Sequence, residues 1–356
     1  MKVLQLIDSL HAGGAERMAV NLANVLADKV DRSFICATRQ EGVLKQAINK
    51  DVGYLFLNKT STLDIRAIKT LNTFVKHEAI DVLHAHSTSF FLATLVKLLN
   101  KNLKLVWHDH YGQSEFLEHR KTHVLQYCSN YFSHIFSVNE KLETWAQKKL
   151  KAPSVSYLSN FIAQSNVEPQ TSLKGFQGKR LVCMANLRPQ KDHIVLLHAF
   201  SEVIKTQKDW TLHLVGKDFR DAYSKKVKAI IRTLNLESHV FLYGSRPDVG
   251  PILKQCEIGV LSSKSEGLPL ALLEYGLAGL AVVATKVGQC DTVLEHGKLG
   301  VLVAPQNSKA LQDALEFLID DVQKRQERAA AFHKSVVNNY ASEAIVETLL
   351  NTYKTI

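Results

Sequence analysis

Short apolar runs alternate along this chain with segments whose apolar residues return at helical spacing. Residues 3–7, 33–37, 81–85, 103–108 and 134–138 read as strands, and 15–27 as the helix after the first of them. The series restarts at 179–185 and continues at 211–215, 240–243, 257–261, 281–284 and 300–303. Strands separated by helices predict parallel sheets, since a parallel connection has to cross over through an intervening element. Residues 164–178 lack strong periodicity and hold Pro169 and three glutamines, so they read as a linker. The pattern predicts an α/β chain of two doubly wound domains, residues 1–163 and 179–337, with helical spacing over 329–355 at the end. A length of 356 residues suits two cores better than one.

One helical stretch departs from the usual amphipathic pattern. Residues 262–285 run S-S-K-S-E-G-L-P-L-A-L-L-E-Y-G-L-A-G-L-A-V-V-A-T. The stretch turns at Gly267 and places Pro269 in the first helical turn, where a missing N–H is harmless. Leu270, Ala271, Leu272, Leu273, Leu277 and Ala278 make it apolar on nearly every face, as a buried helix would be. Glu274 is the only carboxylate between Leu268 and Thr285, and a buried carboxylate is costly unless something polar meets it. Glu266 lies at the mouth of the same helix, whose free N–H groups suit an anion. A phosphorylated ligand bearing hydroxyls would satisfy both features.

The two acids, with the Gly-Leu-Pro turn between them and the apolar strand behind, resemble the Glu-x7-Glu motif of the retaining glycosyltransferases of family 4, whose fold is GT-B. The resemblance implies two Rossmann-like domains facing a cleft. Residues 1–163 would form the acceptor side and 179–337 would hold a nucleotide sugar, with a C-terminal helix at 338–356 packing back on the first. In that family the first Glu lies near the donor sugar and the second hydrogen-bonds the nucleotide ribose. Carried over, these are Glu266 and Glu274, with Gly267 and Leu268 beside the donor. A buried helix whose Glu caps a neighbour is the plainer alternative.

Other strand ends carry further motifs. His11-Ala12-Gly13-Gly14-Ala15-Glu16-Arg17 follows the first strand and opens a helix. Adjacent glycines admit a ligand close to the backbone, although a tight strand–helix turn explains them equally well. The loop lacks G-x-G-x-x-G, which argues against a dinucleotide. It resembles the family's Gly-Gly-Ala-Glu loop, implying Gly13 and Gly14 near the donor phosphates and Glu16 on the acceptor side. Residues 81–87 (D-V-L-H-A-H-S) and 107–112 (W-H-D-H-Y-G) bring four histidines to strand ends. His-x-His in a strand points both rings to one face, but no carboxylate or cysteine cluster completes a metal site. By resemblance, His110 is the histidine near the transferred sugar, His86 and Ser87 are acceptor-side candidates, and no metal or cofactor is expected. His84 reads as a packed strand residue, and His108 is a lesser candidate than His110.

Residues 184–192, M-A-N-L-R-P-Q-K-D, end the first strand of the second domain. The family commonly has G-R-L-x-x-x-K-G there, with Arg and Lys clamping the diphosphate. This chain keeps Lys191 but has Asn186 in place of the Arg, so Arg188 is the expected second cation. Cations at a helix start oppose its dipole, which makes sense if an anion binds between them. Gly216, the loop 244–248 and the loop 287–290 line the nucleotide or donor pocket by the same resemblance, while Arg246 reads equally well as solvated.

Charge narrows the partners. Lysine and arginine outnumber acids by 44 to 34, a net +10, which favours anionic ligands or surfaces. Without basic–aromatic interleaving, nothing beyond charge supports nucleic acid. No apolar run is long enough to span a membrane, and M-K-V-L-Q-L-I-D-S is unlike a secretory signal. The five cysteines are widely spaced and read as reduced core thiols of a cytosolic protein. Basic groups at Lys97, Lys101 and Lys104, at Arg120 and Lys121, and at Lys148, Lys149 and Lys151 fit either an anionic membrane surface or plain solvation.

The expected activity, implied by the resemblance, is transfer of a sugar from a nucleoside-diphosphate donor to a hydroxyl of a glycan or lipid-linked acceptor. It would proceed with retention, in bacterial surface polysaccharide or glycolipid assembly at the cytoplasmic face of the membrane. The alternatives are a nucleotide-sugar epimerase of the same fold and a non-catalytic nucleotide-sugar-binding protein, the latter prompted by Asn186.

Overall fold

A computed structural model describes residues 1–112, 114, 116–161, 167–340 and 342–356. By packing, the chain forms two units: Met1–Ala163 together with Ala341–Ile356, and Gln164–Tyr340. Of the expected linker, residues 164–166 lie outside the described residues, and 167–178 carry no helix or strand.

Unit 1 contains β1 (Lys2–Ser9), β2 (Arg32–Gln40), β3 (Gly53–Phe56), β4 (Val82–His86), β5 (Lys104–Asp109), β6 (His134–Ser137) and β7 (Val155–Tyr157). They form one parallel sheet in the order β3-β2-β1-β4-β5-β6-β7. Unit 2 contains β8 (Arg180–Met184), β9 (Thr211–Val215), β10 (Val240–Gly244), β11 (Ile258–Leu261), β12 (Ala281–Thr285) and β13 (Val301–Val303). Its parallel order is β10-β9-β8-β11-β12-β13. The doubly wound architecture expected from the sequence is present in both. Each strand order reverses direction at its centre, between β1 and β4 and between β8 and β11, and open parallel sheets take ligands beyond the carboxyl ends of strands at such a reversal.

Two strands, β3 and β7, escape the sequence reading. Both sit at sheet edges and are half-buried along their whole length, so neither needs a continuous apolar run. The central strands do. In unit 1, Leu4, Leu6, Leu83 and Trp107 pack into one face of the sheet, and Ile7 and Ile35 into the other. In unit 2, Leu212, Val260 and Val283 pack with Leu197, Phe200 and Leu315 from the covering helices. The helical spacing at 329–355 resolves into two helices, Val322–Asn339 in unit 2 and Ser342–Thr355 in unit 1. The second buries Val346, Leu349 and Tyr353. No helix among the described residues is long and apolar enough to cross a membrane.

Candidate functional site

The reversal in unit 2 sets a lysine against an acid. Lys191 Nζ lies 2.6 Å from Glu266 Oε1, and the Ser263 hydroxyl donates to the same oxygen at 2.6 Å. The loops that carry them are stitched together. Ser262 Oγ donates to Lys191 O at 2.9 Å, Gln190 Nε2 to Ser265 O at 2.8 Å, and Lys264 N–H to Gln190 O at 2.8 Å. A third loop closes on them through Gln289 N–H, which donates to Gly267 O at 3.0 Å. Gly288, at φ +53°, packs so tightly that a Cβ would lie 2.3 Å from Glu266 O. Glu266 is 4% exposed, so it is the buried acid, whereas Glu274, expected to be buried, is half-open. The apolar stripe explains this, because Leu272, Leu273, Tyr275 and Gly276 take the inward faces and leave Glu274 on the edge.

The helix itself runs Leu270–Leu277, and extended Pro269, its N-cap, offers no side-chain hydrogen bond to its first amides. Those amides keep their affinity for an anion beside buried Gly267 and Leu268. Tyr275, which the sequence did not single out, holds the helix to the sheet: its hydroxyl accepts from Met184 N–H at 2.7 Å and donates to Val260 O.

Asn186 has a task of its own. Its Oδ1 accepts from Lys217 N–H at 2.7 Å, pinning the loop after β9 to the loop after β8. Gly216 lies in that contact, where a Cβ would sit 2.1 Å from Ala185 O. Arg188 is exposed, and its guanidinium lies 4.9 Å from the centre of the Phe219 ring. Arg188 and Lys191 share a tight turn, Lys191 N–H donating to Arg188 O at 2.9 Å, although their side chains have different partners.

In unit 1 the reversal is lined with rings. Parallel pairing sets His86 of β4 beside His108 of β5. The rings of His84 and His86 stack at 4.6 Å and 8°, and those of His108 and His110 lie 4.1 Å apart. His86 Nε2 is 2.8 Å from Gln5 Oε1 and its Nδ1 is 3.0 Å from His110 Nε2, while His84 Nδ1 meets the Tyr353 hydroxyl. Burial pushes the pKa values of His84, His86 and His108 well below 6.5, and that of His110 down to about 3. All four are therefore neutral imidazoles near neutral pH.

Ring nitrogens of His84, His86 and His108 gather within 4.8 Å, a grouping that could be read as a metal site. Lone pairs lie in the ring plane, however, so stacked rings aim them side by side, and both nitrogens of His86 already have partners. The column is better suited to packing than to coordination, although His84 Nε2 and both nitrogens of His108 are buried without a partner.

Two of the expected acceptor-side residues, His86 and Glu16, have partners within the chain. His86 is 0% exposed and faces inward along the column, so it can reach a ligand only through His110. The Gly13–Gly14 turn is faced by the chain's own acid, since a Cβ on Gly13 would lie 2.2 Å from Glu16 Oε2. Glu16 accepts from Ser9 Oγ at 3.1 Å and offers its charge to the N-terminus of the helix Gly14–Leu26. Ser87 is half-open, at φ +50°, and its carbonyl accepts from Trp107 Nε1–H at 2.8 Å.

The basic clusters also thin out. Arg120 makes bidentate bonds of 2.6 and 2.8 Å to buried Asp109, with its guanidinium over Tyr111 and Trp145. Lys97 donates to the carbonyls of Lys101 and Leu103. Lys101, Lys104, Lys121, Lys148, Lys149 and Lys151 remain exposed. All five cysteines are buried and unpaired.

Comparison with known proteins gives the family and the fold of the chain. A family model described as Glycosyltransferase Family 4 matches residues 12–164, and one described as Glycosyl transferases group 1 matches residues 178–321. An uncharacterized glycosyltransferase of Haemophilus influenzae is 26% identical over 87% of this chain and 88% of its own. The UDP-Gal:alpha-D-GlcNAc-diphosphoundecaprenol alpha-1,3-galactosyltransferase of Escherichia coli is 22% identical over 86% of this chain and 85% of its own. Among solved structures, Anabaena Alr3699/HepE in complex with UDP-glucose superposes with a TM-score of 0.80 at 20% identity over the whole of both chains, which shows a shared fold.

Proposed function

Since the chain belongs to glycosyltransferase family 4 and is a glycosyltransferase of GT-B type, related to enzymes of bacterial polysaccharide biosynthesis, we propose that it transfers a hexose with retention from a nucleoside-diphosphate sugar to an acceptor hydroxyl. The observation that carries this reading is the ion pair of Lys191 with buried Glu266, beside the first amides of the helix Leu270–Leu277. A lysine neutralised by an acid can exchange that partner for a diphosphate. Glu266, released but still held by Ser263, then faces the sugar. As the donor bond breaks, charge grows on the leaving diphosphate, and fixed cations and amides stabilise that state more than the ground state. Arg188 adds a second cation from the same turn, and in this reading Glu274, which is half-open, accepts from a ribose hydroxyl. His110, neutral and half-exposed, serves the sugar. The leaving phosphate takes the acceptor proton, so no second carboxylate is required and no metal is assigned a role.

Thermal-shift screening with UDP-, GDP- and ADP-sugars, followed by NMR of the product anomer, tests the reading. Stabilisation by one donor class and a product of unchanged anomeric configuration are expected, and an inverted product would overturn retention. Products formed without acceptor would instead favour an epimerase, and binding without turnover a non-catalytic role. For the acceptor we propose a lipid-linked glycan at an anionic membrane surface, because exposed Leu98, Leu99, Val124 and Tyr127 accompany the exposed lysines. Equal sedimentation with neutral and anionic vesicles at low salt would remove the membrane from this picture.

A further inference from the structure

The hydrogen bonds of the histidine column specify where its protons sit. Gln5 is wholly buried in the middle of β1, with Oε1 2.8 Å from His86 Nε2. An amide oxygen only accepts, so His86 carries its proton on Nε2. His86 is un-ionised, which leaves Nδ1 as a lone pair. His110 Nε2, 3.0 Å from that lone pair, must then be the donor. Because His110 is un-ionised as well, its Nδ1 bears no proton.

These proton positions depend on which way the Gln5 amide is turned. Gln5 Nε2, at the other end of that amide, closes no hydrogen bond among the described residues. An amide turned the other way would reverse the protons of His86 and His110 and leave His110 with an N–H on Nδ1.

We propose that Gln5 and His86 are positioning residues that fix His110 in its Nε2–H tautomer, so that the Nδ1 lone pair accepts a hydroxyl hydrogen of the sugar being transferred. The sugar contact rests on the role given to His110 above, whereas the tautomer does not. A lone pair there also favours the positive charge that develops at the anomeric centre, where an N–H would oppose it. His110 Nδ1 makes no hydrogen bond among the described residues.

Long-range 15N–1H correlation spectra of the full chain labelled at histidine give the tautomer directly. In the wild type, His110 should be a single Nε2–H species. Gln5→Leu, close in volume and apolar, removes the acceptor, and the His110 signals should then show both tautomers. In a donor-hydrolysis assay the same variant should lower kcat roughly 10–100-fold, by analogy with metal-bound histidines that lose the partner orienting them, with the donor KM unchanged. His86→Phe keeps a ring in the stack and should give the same result. An Nδ1–H species in the wild type would overturn the proposal, and that spectrum needs no variant to fold. A mixed tautomer in Gln5→Leu with normal kcat would overturn the sugar contact. If no donor is bound or turned over, the proposed function and the sugar contact both fall, while the spectrum still decides whether Gln5 and His86 set the tautomer.

Discussion

At the carboxyl ends of β4 and β5, unit 1 gathers four un-ionised imidazole rings; at the ends of β8 and β11, unit 2 pairs a lysine with a glutamate at 2.6 Å. The two sheets reverse strand order at corresponding places, so topology alone does not distinguish the sites. The difference lies in which form of each group burial and partners permit. Desolvation without a carboxylate keeps the histidines neutral, whereas an opposite charge within bonding distance lets Lys191 and Glu266 face each other as ions. A neutral wall suits hydroxyls and a transient cationic centre, and a charged wall suits a diphosphate. The fold supplies position in both units, and the chemistry comes from the side chains placed there.

Removing the charged wall should have the largest effect. Lys191→Ala should lower transfer by about 10²–10³-fold, since it removes a cation from the developing diphosphate and leaves Glu266 buried without its counter-ion. Arg188→Ala, exposed and resting on Phe219, should cost far less. Equal losses in the two steady-state assays would make the clamp symmetrical.

His110→Ala should lower turnover by about 10²-fold and leave nucleotide affinity, measured by calorimetry, almost unchanged. A parallel loss of affinity would mean that unit 1 also binds the nucleotide. Glu274→Gln should do the reverse, weakening donor binding by about 1.5–3 kcal/mol through the loss of a charged acceptor. Unchanged affinity in a folded variant would remove the ribose from its role.

Acid should separate the units more gently. The column histidines titrate near 6.5 when unfolded and below that when folded, so folding favours their neutral form. Their stabilisation is complete above pH 6.5 and is lost as pH falls toward the folded values, by up to about 1.4 kcal/mol per pH unit for each group. Unit 1 holds His84, His86, His108, His110 and His134, whereas unit 2 holds His193 and His213, each held near 4 by burial. Hydrogen exchange followed from pH 7 to 4 should show β4 and β5 losing protection before β11 and β12. Simultaneous loss would contradict the comparison.

How far each site was legible follows from how local its signals are. Glu266 and Lys191, which pair in the structure, stood out in the sequence because a charge, a turn residue and an apolar run stand within a few positions of each other. Central strands announced themselves by apolar runs, but β3 and β7, exposed along one edge, did not. Glu274 was expected deeper than it lies because helical spacing gives a face but not what covers it. The column was only half legible. His84 and His86 showed their common face, yet their partners Tyr353 and Gln5 lie 269 and 81 positions away. Gln5 did leave one trace, a polar residue in the middle of the apolar run V-L-Q-L-I.

The bond from Tyr353 to His84 has a consequence for how the molecule is made. The helix Ser342–Thr355 completes the core of unit 1, but it is encoded after the whole of unit 2. During synthesis, β1 to β7 emerge first and wait with the inner face of the column uncovered, while unit 2, continuous in sequence, can close ahead of them. The half of the protein whose translation begins first is therefore the half that receives its closing helix last.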